Sequence, residues 1–122
     1  MFTTVSPVCP TTDMARTLAF WQRLGFAVGF ADHKDPAKAD YAGVRRSGLE
    51  LHLQTFTPEQ LGSGTNMQIR VRVESAAALE ALNTEWLPHK VIAAPLARKP
   101  WGNYELGFYD PDGAALFFYV ET

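Results

Sequence analysis

The chain has 122 residues, of which 47% are hydrophobic and 20% charged, and its formal net charge is −2. That length suits one domain, and the balance excludes an intrinsically disordered chain. The charge lacks the basic surplus of a nucleic-acid binder, a single cysteine excludes an internal disulfide or zinc ribbon, and no apolar run reaches the ~20 residues of a membrane-spanning helix. The lone Cys9, and an N-terminus without a basic n-region, imply a reducing, cytoplasmic setting.

Phe2 to Val8 alternates weakly and reads as a strand, with Pro7 and Pro10 marking an edge or hinge. Thr12-Asp13 offers an N-cap, and Met14, Thr17, Leu18, Trp21 and Leu24 recur at helical spacing until Gly25. Phe26 to Phe30 reads as a second strand, Asp32 to Asp40 as a polar loop, and Tyr41 to Arg46 as a third strand. Ser47-Gly48 is a tight-turn signal. Beyond it, Leu49 to Phe56 places Leu49, Leu51 and Leu53 on one face and Glu50, His52 and Gln54 on the other. Thr57 to Asn66, with one proline and two glycines, reads as a linker.

The same order then repeats. Met67 to Val73 alternates, with Gln68, Arg70 and Arg72 on the polar face. Glu74-Ser75 caps a helix through Ala78, Leu79, Leu82 and Trp86 that stops at Pro88. Val91 to Ala94 reads as a short strand, Pro95 to Gly102 as a loop, and Tyr104 to Tyr109 as a strand. Asp110-Pro111-Asp112-Gly113 is a turn, and Ala115 to Glu121 is the last strand, apolar on both faces and so expected to be buried on both. The expected fold is α+β: a βαβββ module over about 1–56, a linker over 57–66, and a second βαβββ module over about 67–122, all within one domain. Their mixed sheet would curve around a cleft, with helices on its outer face.

Residues Asp13, Phe20-Trp21 and Leu24-Gly25-Phe26, together with Phe108-Tyr109-Asp110-Pro111-Asp112-Gly113 and the apolar strand after it, resemble the vicinal oxygen chelate superfamily. That superfamily includes glyoxalase I, extradiol dioxygenases and bleomycin-resistance proteins. Asp40-Tyr41-Ala42-Gly43-Val44, Pro100-Trp101-Gly102 and Pro7 are most similar to the bleomycin-resistance members. In the superfamily's enzymes four strands supply ligands to a divalent metal. The resemblance puts those places at Ser6, Glu50, Gln68 and Phe117, a set short of donors, so no metal or other cofactor is expected.

The resemblance then implies a homodimer with an exchanged N-terminal strand, hinged at Pro7, that sequesters a small planar ligand such as bleomycin without catalysis. Trp101, Phe30, Tyr41 and Gln54 become ligand-binding candidates, with Trp101 first because its indole stacks on heteroaromatic rings. His52, Glu50, Arg70 and Gly102 complete the candidate set, with no catalytic residue among them. Arg70 and Arg72 on the cleft face would favour an anion over cationic bleomycin. Two other readings stay open: a glyoxalase- or dioxygenase-type metal enzyme using Glu50, His52 and Gln68, and a protein-interaction module. His33 reads as a solvent-exposed loop residue, His89 as structural at a helix end, Cys9 as inert, and Trp21 and Trp86 as core or helix–sheet packing.

Overall fold

The computed structural model describes residues 1–121 and divides into two compact units, Met1–Thr65 and the chain from Asn66 onward. Each unit builds its own four-stranded mixed sheet with a helix packed on one face.

The first unit runs β1 (Val8–Thr11), α1 (Met14–Arg23), β2 (Ala27–Ala31), β3 (Tyr41–Arg46) and β4 (Leu49–Thr55), in the sheet order β1-β4-β3-β2. Asp13 caps α1 as its spacing predicts: its Oδ1 accepts from the Arg16 amide at 3.0 Å. Met14, Thr17, Leu18 and Trp21 form the buried stripe of α1. They share the core with Ala42, Val44, Leu51 and Leu53, the inward phase of β3 and β4. Trp21 meets Phe20 and Phe26 edge-on at 5.1 and 4.9 Å.

The first strand begins at Val8, not Phe2. Pro7 has no N–H to donate, and only its carbonyl enters the ladder, accepting from the His52 amide at 2.9 Å. Because β1 is an edge and pairs only with β4, Pro10 is tolerated within it. Phe26 likewise stays out of β2, since its amide bonds the Trp21 carbonyl at 3.0 Å and closes α1. The expected linker contains a single helical turn, α2 (Pro58–Leu61). Thr57 and Gln60 form a reciprocal capping box there, and Pro58 occupies the first turn.

The second unit runs β5 (Gln68–Arg72), α3 (Ala76–Trp86), β6 (Ile92–Arg98), β7 (Asn103–Tyr109) and β8 (Ala115–Glu121), in the sheet order β5-β8-β7-β6. Strand β6 runs through Pro95 to Arg98, where the sequence suggested a loop. It is an edge strand with two register irregularities, so the missing proline donor costs no ladder bond. In β8 only Leu116, Phe118 and Val120 are buried; Ala115, Phe117 and Tyr119 stay half-exposed on the other face, against the expectation of burial on both. Trp86 packs edge-on against Phe108 and Phe118, at 5.5 and 5.0 Å, to form the aromatic centre of this core. Among the described residues no helix is long and apolar enough to cross a membrane.

Asp110 holds the turn between β7 and β8. Its Oδ1 accepts from the amides of Asp112 at 3.0 Å and Ala114 at 2.8 Å, while its buried Oδ2 has no partner. Burial pushes the Asp110 carboxyl above the ordinary carboxylate range, more than its backbone hydrogen bonds pull it down. The folded protein therefore holds that proton more tightly than the unfolded chain. Asp110's contribution to stability is complete below the ordinary range and falls as pH rises through the raised value. Asp110→Asn keeps the acceptor and removes the buried charge. It is expected to match or exceed the parent in urea denaturation at neutral pH, with that advantage shrinking as pH falls and the parent's Asp110 takes up its proton. Asp110→Ala, which strands two amides, should lose about 1–3 kcal/mol.

Candidate functional site

On the first sheet, Ala42, Val44, Leu51 and Leu53 point to the core, so Tyr41, Gly43, Glu50, His52 and Gln54 lie on the opposite face. Phe30 joins them through a bulge. Val28 pairs with Val44 and Phe30 with Gly43, leaving Gly29 as the extra residue. In a regular strand Phe30 would share the face of Val28; with the bulge, the alternation is reset.

The Phe30 ring then lies flat over Gly43, where a Cβ would fall 2.3 Å from its Cε1. It stacks near-parallel to Tyr41 at 6.1 Å and stands edge-on to His52 at 5.1 Å. Tyr41 Oη lies 2.8 Å from His52 Nδ1, and His52 Nε2 lies 3.1 Å from Glu50 Oε1. Gln54 is the cross-strand partner of Tyr41 and is exposed. Four of the candidates, Phe30, Tyr41, His52 and Glu50, thus form one contiguous aromatic and acidic patch, with Gln54 on the same face. With 41% of its surface exposed, Phe30 has a free ring face to offer.

Gly43→Ala tests this arrangement. The added methyl must push the Phe30 ring aside, which an exposed ring can do, so the stability loss should be only about 1 kcal/mol. The Phe30–His52 proton contacts in a NOESY spectrum should disappear. Persistence of those contacts would show that the ring does not depend on the glycine.

Arg70 lies on the second sheet. Its guanidinium sits 4.7 Å from the Tyr119 ring centroid and 5.6 Å from that of Phe117. Its Nη2 meets Glu105 Oε2 at 2.8 Å, and Glu105 is only 2% exposed. Arg72 pairs with Glu121. Both arginines are therefore matched by carboxylates, which corrects the expectation that they leave the face cationic. Glu105 was missed from sequence. Its signal was the strand phase, since Glu105 and Gly107 alternate with buried Leu106 and Phe108 and so share the face of Arg70. A second glycine is covered on that face: a Cβ at Gly107 would lie 2.6 Å from the Phe117 ring.

Trp101, in contrast, projects from the β6–β7 turn with 65% of its surface exposed. That turn is closed by the Gly102 amide on the Lys99 carbonyl at 2.9 Å, and Gly102 takes φ 98°, a value that glycine tolerates.

The family model of the Glyoxalase/Bleomycin resistance protein/Dioxygenase superfamily matches residues 5–118, and the chain belongs to this superfamily. Among solved structures it is similar to a bleomycin-binding protein complexed with bleomycin, with a TM-score of 0.79 at 22% identity over 99% of this chain and 100% of that one. A bleomycin-binding protein from bleomycin-producing Streptomyces verticillus, complexed with copper(II)-bleomycin, gives 0.75 at 26% identity over 100% and 98%. A lactoylglutathione lyase from Agrobacterium tumefaciens gives 0.71 at 15% identity over 97% and 92%. No curated protein matches the chain by sequence. These likenesses agree with the paired βαβββ modules.

The side chains present do not fit the superfamily's divalent metal. Phe117 carries no donor atom, and its ring covers Gly107. Both nitrogens of His52 are already engaged, and among the described residues no three His, Cys, Asp or Glu side chains converge.

Proposed function

We propose that this protein binds a small planar, antibiotic-like ligand of the bleomycin type and holds it without changing it chemically. The observation that carries this reading is the patch of Phe30, Tyr41 and His52. Three rings in mutual contact are edged by Glu50 and Gln54, a mainly apolar surface with a few placed polar groups, as small-molecule sites are built. The pairing of Arg70 with Glu105 and of Arg72 with Glu121 removes the electrostatic objection to a cationic ligand.

The active form in this reading is a homodimer with exchanged N-terminal strands. Residues 1–6 belong to no strand of the described chain, and Met1, Phe2 and Val5 are exposed, so pairing with a second copy would bury apolar surface.

Thermal unfolding with metal-free bleomycin tests the reading. At a hundred times its dissociation constant a ligand adds about 2.7 kcal/mol, a rise on the order of 10 °C for a protein of this size. The ligand should be recovered unaltered by mass spectrometry. No shift with bleomycin or with neutral and anionic planar compounds, or turnover of a lactoylglutathione or catechol substrate on addition of nickel, zinc or manganese, would overturn it.

A further inference from the structure

The hydrogens of the Tyr41–His52–Glu50 chain can be counted. A carboxylate only accepts, so the His52 nitrogen beside Glu50, 3.1 Å away, carries the ring proton. The neutral ring then has a bare Nδ1, and Tyr41 Oη, 2.8 Å away, donates its proton there. Every proton that these three side chains own is spent within the chain. What remains for a ligand is a lone pair on Tyr41 Oη, the free lone pairs of Glu50 and one negative charge.

The neighbours do not undo this. His52 faces Val8 across β1, Gly43 across β3, and the Phe30 ring, all uncharged. Arg45 is the cross-strand partner of Glu50, but its side chain runs the other way, across Gly29: its Cδ would lie 3.5 Å from a Cβ placed there. Gln54 can turn either end of its amide outward.

We infer that Tyr41, His52 and Glu50 make this face a receptor for planar cations that donate N–H groups, such as amidinium or guanidinium, with the exposed face of Phe30 as the stacking surface. The inference rests on the reading that this face binds a ligand, and it adds the ligand's chemical class.

The test is a chemical-shift titration of the whole protein with three planar probes of one size: benzamidinium, benzamide and benzoate. Benzamidinium should perturb the amides of Tyr41, His52 and Gln54. It should bind about tenfold more tightly than benzamide, with benzoate weakest. Glu50→Gln, an exposed substitution whose spectrum reports its folding directly, should abolish the advantage. Equal binding of the three probes, or no response to benzamidinium, would overturn the inference. A benzamidinium response with none to bleomycin would instead overturn the bleomycin reading alone.

Discussion

Trp86→Ala is expected to lower the free energy of unfolding by about 3–5 kcal/mol, as large-to-small aromatic changes in cores do. Trp86 is buried on the last turn of α3, where Phe108 and Phe118 contact its ring and stack on each other at 5.6 Å. Neither of those strand residues can follow a deleted ring without leaving its ladder, so the cavity would stay open. Total stability is typically only ~5–15 kcal/mol, and the loss would be visible as a large fall in the urea midpoint followed by circular dichroism. Trp101→Ala is the control. An exposed turn residue should change stability by no more than about 0.5 kcal/mol while weakening binding of a stacking ligand. A large stability loss from Trp101→Ala would mark that tryptophan as structural.

Arg70→Met is expected to destabilise the protein by about 2–3 kcal/mol. Removing one partner of a buried pair leaves the other charge uncompensated, and this costs about 3–5 kcal/mol in closed interiors. The lower figure applies because the Arg70 side chain is 37% exposed, so water already screens part of the attraction. Glu105, beneath it, has no such relief. Adding Glu105→Gln to Arg70→Met removes the stranded charge and should restore most of the loss. Denaturation of the parent, the two single variants and the double variant gives the coupling directly. If the double variant is as unstable as Arg70→Met alone, the loss comes from the missing stacking of the guanidinium on Phe117 and Tyr119 and not from the stranded carboxylate.

Much of the fold was legible in local patterns. The stripe from Met14 to Trp21 and the Asp13 cap define α1 in one turn-by-turn reading, and the strict alternation of Leu49 to Gln54 identifies both faces of β4. A local rule misleads where it lacks its tertiary condition. Pro95 suggests a break in the strand, yet an edge strand needs no donor on its outer side. Thr57 and Gln60 have the spacing of a capping box, a signal for the turn of α2 within the stretch that the proline and glycines mark as a linker.

For the site, composition and alternation determined which residues share a face: Glu50, His52 and Gln54 on β4, and Gln68, Arg70 and Arg72 on β5. They could not determine which of those residues meet, because that depends on register and strand order, which are set by long-range pairing. The pairing of Gly43 with His52 brings Tyr41 within reach of the imidazole, the bulge at Gly29 delivers Phe30 to the same side, and the placement of β8 between β5 and β7 puts Arg70 over Glu105. Side-chain chemistry is written residue by residue, whereas the neutralisation of Arg70 is decided by a contact between residues 35 positions apart.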